Sequence, residues 1–210
     1  MVYPLPAVMV SCGEKPEEYN IITIAWTGTI STNPPQCYVS IRPGRHSYEI
    51  IKRTGEFVIN LSTAELAKAT DWCGVKSGRD FDKFKEMKLT PVQGEKVKAP
   101  IIAESPINIE CKVKEIKDMG VHHMFIAEVV NIQASEKYMD PNNGKFELAA
   151  ANPLVYIHGS YYQTGKRIGK FGFSVEKKKS NNPQNAKRNT QPATRNTQPG
   201  LFMPYIQIDR

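Results

Sequence analysis

The sequence lacks the cysteine, membrane and export patterns that would place it in a specialised class. No Cys-x-x-Cys pair and no histidine at metal-ligand spacing accompany its four cysteines, which are Cys12, Cys37, Cys73 and Cys111. We therefore predict neither a disulfide framework nor a metal site. No apolar run approaches the roughly 20 residues of a membrane-spanning helix. The N-terminal stretch MVYPLPAVMVSCGEK does not resemble a signal peptide, so we expect a cytoplasmic protein with free thiols and no membrane association.

Two nucleotide-related signatures are also missing. The net charge of +7 is compatible with nucleic-acid binding, but no zinc-finger spacing or RNP1 motif accompanies it. The run of lysines at 177–179 is typical of a solvated surface. No G-x-G-x-x-G fingerprint occurs, so a Rossmann module for a nicotinamide nucleotide is not predicted. We expect no nucleic-acid partner.

The composition divides the chain into two parts. With 210 residues, 40% of them hydrophobic, the chain is long enough for one full-sized core. After about Ser174 the sequence becomes polar and repeats Arg-Asn-Thr-Gln-Pro, which cannot bury enough apolar surface to offset its ordering entropy. We predict a domain over 1–179 and a low-complexity tail over 180–210. The tail is interpreted as an artificial or poorly ordered extension, and the alternative is that its apolar end, LFMPYIQIDR, docks on the domain.

The dominant hydrophobic period is two, which indicates β-strands. Residues 107–116 predict a half-buried strand with Asn108 and Glu110 on the solvent face. MFIAEVVNIQA at 124–134 predicts its antiparallel partner, with the turn near Gly120. Further strands are predicted at 7–11, 20–29, 36–41, 56–61 and 154–157.

Three short helices are predicted between the strands. The first, 47–53, is ended by Gly55, and the third spans 80–87. The second, 63–73, is opened by a capping box from Ser62 to Glu65 and closed by Gly74. Because helices do not alternate regularly with strands, the fold class is mainly β with a few short helices, arranged as an antiparallel barrel.

The stretch SIRPGRHSYEII is a candidate anion site. It places Arg42, Arg45 and His46 around a Pro-Gly turn, directly before the helix that begins near Ser47. Positive side chains beside the first N–H groups of a helix suit a phosphate. The alternative is a solvated basic turn in which Ser47 only caps the helix. Taken alone, this stretch leaves both interpretations open.

Six stretches, taken in order, resemble the flavin reductase-like family of FMN-binding split-barrel proteins, and within it the flavoredoxin type. The resemblance covers most of residues 4 to 175 and implies an antiparallel split β-barrel with FMN in a groove at a homodimer interface. The stretches are PLPAVMVSCG, NIITIAWTGTIS, NPPQCYVSIRPGRHSYEIIKRTGEFVINLS, CGVKSGRDFDKF, APIIAESPINIECKV and HHMFIAEV.

The resemblance also implies which residues contact FMN. Asn20 and Trp26 would line the flavin or ribityl region, and Thr27 and Gly28 would approach it through backbone. The phosphate would be surrounded by Arg45, His46 and Ser47. The lysine, histidine and late aromatic that the family places at the flavin match Lys83, His122 and Tyr156.

Each of these residues also has an ordinary structural explanation. A tryptophan in an apolar strand packs in the core, which applies to Trp26, and Lys83 lies by default on the surface of a short helix. Asn20 at a strand start can close a turn. His122 and His123 are neighbours in a strand, so at most one of them points into a given site.

Function follows from what a flavin requires of its protein. The cofactor performs the redox chemistry itself, so no side chain is assigned a catalytic role. Lys83 or His122 could stabilise reduced flavin by positive charge. The leading hypothesis is an NAD(P)H-dependent flavin reductase. The alternatives are a flavoredoxin-type electron carrier with a partner such as ferredoxin, and a basic binding module without redox function.

Overall fold

A computed structural model describes residues 2–176 of the chain, which form a mainly β structure. The strands are β1 Leu5–Pro6, β2 Val8–Cys12, β3 Asn20–Ile24, β4 Thr27–Thr32, β5 Pro35–Ile41, β6 Glu56–Leu61, β7 Pro91–Gln93, β8 Pro100–Ile102, β9 Ile107–Asp118, β10 His123–Ala134, β11 Leu154–Ile157 and β12 Ser160–Gln163. The α-helices are α1 His46–Thr54, α2 Ala67–Val75 and α3 Lys83–Met87.

The chain divides into two compact units, Met1–Thr164 and Gly165–Arg210. The first unit holds all of these strands and helices. The described part of the second, 165–176, includes the short 3-10 turn Phe173–Val175. The tail predicted over 180–210 lies outside the described residues.

A seven-stranded antiparallel sheet in the order β3-β2-β6-β9-β10-β5-β4 forms the barrel. Its two edge strands, β3 and β4, are consecutive in the chain and joined only through Ala25 and Trp26. A two-residue connection requires the edges to meet, so the sheet must curl on itself. The amide of Ser40 donates to the carbonyl of Trp26 at 2.9 Å and holds this corner. The predicted antiparallel barrel is confirmed.

The sheet is buried on both faces near its centre. The barrel interior is filled by an apolar cluster that includes Val10, Phe57 and Phe125. A second cluster, with Met9, Ile21 and Phe84, packs α2 and α3 against the outer face. β2 therefore lacks apolar alternation, because Val8 and Val10 face one cluster and Met9 faces the other.

The predicted strands agree with the structure except at 20–29. That segment forms two strands, because β3 pairs with β2 whereas β4 pairs with β5 at the other edge of the sheet. The hairpin of β9 and β10 is confirmed, with Gly120 in the left-handed region at φ 88°.

The prediction that Asn108 and Glu110 face solvent is wrong. Glu110 is fully buried and Asn108 is 5% exposed. The reason is tertiary, since the segment that connects β7 to β8 covers this face of β9. Its backbone N–H groups at Lys96 and Val97 donate to Glu110 Oε2 at 2.6 and 3.1 Å.

Three of the predicted helix boundaries are wrong by more than one residue. α1 agrees with prediction within one residue at each end and ends at Gly55, whose φ is 69°. α2 begins at Ala67 rather than Thr63, and the capping box is not formed, because Ser62 instead accepts a hydrogen bond from Thr70 Oγ1 at 2.9 Å. Gly74 does not close α2, which continues to Val75. α3 is shorter than predicted and begins after Asp82, which caps the amide of Lys85.

Candidate functional site

Two adjoining cavities lie beside the corner where β3 leads into β4. The larger, here the aromatic cavity, has a volume of about 400 Å³ and includes Trp26, His122, Tyr156 and Tyr161 among its walls. The smaller, here the basic cavity, has a volume of about 170 Å³ and lies at the start of α1. The two share walls at Ile22, Arg45 and Gly74, so one elongated ligand can extend through both.

The start of α1 forms one wall of the basic cavity. Arg45 is the N-cap residue and makes no side-chain capping bond, so the first N–H groups of the nine-residue helix remain available to an anion. Ser47 lies inside the helix, is 1% exposed, and accepts a hydrogen bond from Asn20 Nδ2 at 2.7 Å. The interpretation of Ser47 as a surface N-cap is therefore wrong.

Lys83 is buried under the same cavity rather than exposed on α3. Its ammonium donates to the carbonyls of Ile21 and Cys73, each at 2.7 Å. Burial lowers the pKa of Lys83, opposed by the nearby Cys73 and Cys12. An ammonium has three donors, so one remains for a ligand in the cavity that Lys83 lines.

His46 adds a titratable group to the basic cavity. Burial is the largest cause that lowers the pKa of His46, and the positive charges of Arg79 and Lys83 lower it further. The imidazole is therefore neutral at neutral pH in the ligand-free protein, and it offers a hydrogen bond rather than a charge.

The connection between α2 and α3 closes the basic cavity and was missed by sequence reasoning. Ser77, Gly78 and Arg79 line it, and Arg79 Nη1 donates to the carbonyl of Gly44 at 3.4 Å. A Cβ at Gly78 would lie 2.1 Å from Asn20 Oδ1, so only glycine fits there. The stretch CGVKSGRDFDKF contains this connection and contributed to the family resemblance. None of the residues of the connection was assigned a role in the site.

Asn20 joins the two halves of the basic cavity. Its Nδ2 is used by Ser47, whereas its buried Oδ1 has no hydrogen-bond partner within residues 2–176. A buried acceptor without a donor costs free energy unless a ligand or water satisfies it. A ligand hydroxyl would supply the missing donor.

Trp26 and His122 face each other at the wall of the aromatic cavity. Their ring centroids are 4.3 Å apart at 48°, and Trp26 is 38% exposed rather than packed in the core. Burial lowers the pKa of His122, and the charges of Arg42 and Arg45 lower it further. His122 lies one residue before β10 rather than in the strand as predicted, and His123, the first residue of β10, places its Nδ1 2.7 Å from the Tyr48 hydroxyl, away from the aromatic cavity.

Tyr156 reaches the aromatic cavity together with two residues that the sequence did not indicate. Tyr161 pairs with Tyr156 across the hairpin of β11 and β12, and its hydroxyl donates to Asp71 Oδ1 at 3.2 Å. Burial and the charge of Asp71 raise the pKa of Tyr161 to about 12. In the sequence, the aromatic residues on the two strands of this hairpin were the only feature that could have indicated Tyr161.

Thr27 and Gly28 are not among the walls of either cavity. The hydroxyl of Thr27 donates to the carbonyl of Tyr38 at 2.6 Å. A Cβ at Gly28 would lie 3.1 Å from Tyr38 Cε1. Both residues therefore contact β5 in this structure, and the other eight predicted residues line one or both cavities.

The arrangement suits an elongated ligand with an anionic end and a planar end. Helix N–H groups, Arg45, Ser47 and Arg79 are phosphate donors, Asn20 Oδ1 is an acceptor for a hydroxyl, and aromatic rings flank the larger cavity. A flavin mononucleotide has these three parts in this order, so the residues present fit it. Within residues 2–176, no group of three or more His, Cys, Asp or Glu side chains could hold a metal ion, and no helix is long and apolar enough to cross a bilayer.

A curled antiparallel barrel with two adjoining cavities of this kind is typical of barrels that bind a cofactor. Comparisons with known proteins identify the family. The family model described as "Flavin reductase like domain" matches residues 1–165. An uncharacterised protein of Archaeoglobus fulgidus is 33% identical over 154 residues, which cover 71% of this chain and 85% of that protein. This chain belongs to the flavin reductase-like family.

Two further relatives carry functional names. The structure of the flavoredoxin of Desulfovibrio vulgaris (Miyazaki F) aligns with a TM-score of 0.77 at 28% identity, covering 84% of this chain and 95% of that one. The NADH-dependent FMN reductase AsuE2 of Streptomyces nodosus subsp. asukaensis is 25% identical over 154 residues, covering 73% of this chain and 74% of that protein. The split-barrel fold and family resemblance identified from the sequence are confirmed.

Proposed function

We propose that this protein is an FMN-binding oxidoreductase that takes electrons from NAD(P)H and passes them on through its bound flavin. The observation that carries the proposal is the basic cavity, where the first turn of α1, Arg79 and Lys83 converge next to the aromatic cavity. Membership in the flavin reductase-like family supports a flavin cofactor, and the size of the basic cavity, about 170 Å³, favours a single phosphate.

The residues have distinct roles in this proposal. Arg45, His46 and Ser47 hold the phosphate with the N–H groups of α1, and Arg79 closes over it. Asn20 accepts a ribityl hydroxyl through its free Oδ1. Trp26, His122 and Tyr156 border the flavin ring. Thr27 and Gly28 act indirectly, because they hold β4 against Tyr38 and so position Trp26.

Bound FMN would supply the hydride-accepting and electron-releasing chemistry of the protein. The chain's own task is to hold the cofactor and set its charge environment. Of the two candidates for this tuning, Lys83 has an ammonium fixed by two carbonyls but lines the basic cavity, where the phosphate end would lie, whereas His122 borders the aromatic cavity. His122 is held neutral by burial and by the neighbouring arginines, so it contributes less charge.

We also propose that the functional unit is a homodimer built from the domain over 1–179. The partly exposed Trp26, at 38%, and the exposed Ile30, at 46%, support a covering partner at edge strand β4. Sedimentation of the FMN-loaded protein at micromolar concentration checks this proposal, and a monomer with full FMN occupancy would contradict it.

Titration of flavin-free protein with FMN, FAD and riboflavin tests the proposed function. We expect one FMN per chain, flavin absorption bands, and an affinity at least about tenfold higher for FMN than for riboflavin, since only FMN brings the phosphate. Failure to bind any flavin would refute the proposal. Equal affinity for riboflavin would refute the assignment of the basic cavity.

A second function, electron transfer between proteins without a nicotinamide donor, is favoured by one observation. The alignment with the flavoredoxin of Desulfovibrio vulgaris (Miyazaki F) covers most of both chains at 28% identity. Such a carrier would use the same cavities and differ only in what delivers electrons to the flavin, for example a reduced ferredoxin.

A further inference from the structure

The turn over 42–45 has an outward side that the proposed FMN site does not use. Arg42, Pro43, Gly44, Arg45 and Val121 line an open depression of about 510 Å³ there. Arg42 and Arg45 are also walls of the aromatic cavity. The depression and the mouth of that cavity therefore meet at these two arginines.

Arg42 is an exposed cation that no acidic group of residues 2–176 neutralises. Within residues 2–176 its guanidinium takes part in none of the salt bridges, whereas Arg53 on the same segment pairs with both Glu14 and Glu18. An unpaired guanidinium presents a planar fork of donors that matches phosphate oxygens. Its position beside the cavity makes it available to a ligand.

The proposed FMN phosphate does not require Arg42. The walls of the basic cavity include Arg45, Ser47 and Arg79 but not Arg42. Arg42 therefore remains for a second anion, one that approaches from the solvent side while its other end enters the aromatic cavity.

We propose that Arg42 binds the diphosphate bridge of a reduced nicotinamide dinucleotide whose nicotinamide enters the aromatic cavity. The inference rests on the proposed function and assigns it a substrate-binding residue. The chain has no G-x-G-x-x-G loop to cradle a diphosphate through backbone, and the N-terminus of α1 faces the basic cavity. Side chains at the depression must therefore hold this group, and Arg42 provides the unpaired charge.

Anaerobic stopped-flow reduction of the FMN-loaded full chain tests the proposal with two hydride donors. NADH carries the diphosphate, whereas 1-benzyl-1,4-dihydronicotinamide carries no phosphate. Arg42→Gln is expected to raise the apparent dissociation constant of NADH about tenfold. It is expected to leave the rate with the benzyl compound within about twofold of the parent. Arg42→Lys is expected to recover part of the NADH affinity, because it restores charge without the fork.

Two further measurements complete the test. Arg53→Gln removes an equal charge at the far end of α1, and it is expected to leave flavin reduction by both hydride donors unchanged. Inorganic pyrophosphate, measured by calorimetry with the FMN-loaded protein, is expected to bind the parent and to bind Arg42→Gln at least about fivefold more weakly. The FMN content of both variants is expected to equal that of the parent.

Three results would overturn the inference while leaving FMN binding intact. An equal loss with both hydride donors would mean that Arg42 acts through the fold or the flavin. Unchanged NADH affinity in Arg42→Gln would exclude the depression as a diphosphate site. If Arg42→Gln slowed reduction by reduced ferredoxin but not by NADH, the depression would be a protein-docking surface. A chain that binds no FMN would instead refute the proposed function, and the inference with it.

Discussion

At the residue scale, the site depends on buried polar groups whose partners lie far apart in sequence. Ser47 is satisfied by Asn20, and Lys83 by the carbonyls of Ile21 and Cys73. Both groups are fixed by protein contacts and line the basic cavity. Such preorganised donors bind an anion without the cost of reorienting water or side chains.

The double variant Arg45→Gln with Ser47→Ala tests the phosphate role at this scale. We expect FMN affinity to fall at least about tenfold, because charge-assisted hydrogen bonds contribute roughly 1.5 to 3 kcal/mol each. Fluorescence titration with FMN and with riboflavin measures the effect. Riboflavin affinity is expected to change little, and Arg53→Gln, which lies away from the cavity, is the matched control.

An equal loss of riboflavin affinity in the double variant would contradict the phosphate assignment. It would show that the variant perturbs the fold around Asn20, whose Nδ2 loses its acceptor when Ser47 is replaced. The single variant Arg45→Gln separates this effect, because it keeps the hydrogen bond from Asn20 to Ser47 and is expected to lower FMN affinity while leaving riboflavin affinity unchanged.

At the element scale, a buried carboxylate attaches an irregular segment to the barrel. Glu110 on β9 accepts the amides of Lys96 and Val97 through one oxygen, and the side chains of Asn131 and Gln133 through the other at 2.8 Å each. Burial opposes ionisation of Glu110, but hydrogen bonds from Gln133, from the backbone of Lys96 and from Asn131 outweigh it and lower its pKa. The carboxylate therefore stabilises the contact between β9, β10 and the β7–β8 connection.

Glu110→Gln is expected to lower the free energy of unfolding by about 2 kcal/mol, because an amide nitrogen replaces an oxygen that faces donors. The folded pKa is depressed, so this contribution is present above the ordinary carboxyl range and is lost as pH falls through the folded pKa. Denaturant unfolding from neutral to acidic pH measures both effects. The parent should lose stability more steeply than the variant in acid.

The matched control is Glu115→Gln on the same strand. Within residues 2–176, Glu115 forms a salt bridge only with Lys117, at 3.6 Å, and its side chain is 54% exposed, so its replacement is expected to change stability by less than about 0.5 kcal/mol. Equal effects of the two substitutions would show that the buried network does not hold the segment.

At the scale of the whole molecule, the two proposed functions differ in what reaches the flavin. A reductase must admit a nicotinamide to the aromatic cavity, whereas a carrier needs only a protein docked near its mouth. The open side of that cavity, bordered by Trp26, His122 and Arg42, is compatible with entry of a planar ring.

Anaerobic reduction of the FMN-loaded full chain by NADH, NADPH or reduced ferredoxin separates these functions. We expect NAD(P)H to bleach the flavin within seconds, at rates in the ordinary turnover range of about 1 to 10³ per second. Subsequent steady transfer to free flavin would complete the reductase assignment. Fast reduction by ferredoxin with negligible reaction with either nicotinamide would instead establish the carrier.

Local pattern in the sequence was sufficient to predict most elements, and the family resemblance was sufficient to name eight residues that line the two cavities. Period-two alternation predicted β9 and β10 because each strand has one face in the barrel core. Gly55 predicted the end of α1 because glycine, which has no Cβ, adopts the left-handed conformation of a helix C-cap without steric cost. Eight of the ten residues implied by the resemblance line the two cavities, because the motif residues lie at strand and helix ends that meet beside one corner of the barrel.

Tertiary structure alone decided the burial of polar groups and the composition of the cavity walls. Glu110 has the sequence position of a solvent-facing residue, but the distant β7–β8 connection covers it. Lys83 resembles a surface lysine until α3 packs on β3, and Tyr161 and Arg79 reach the site only through long-range pairing and loop packing. Alternation reports which face of a strand is apolar, whereas the covering of that face by a segment remote in the chain depends on the closed barrel.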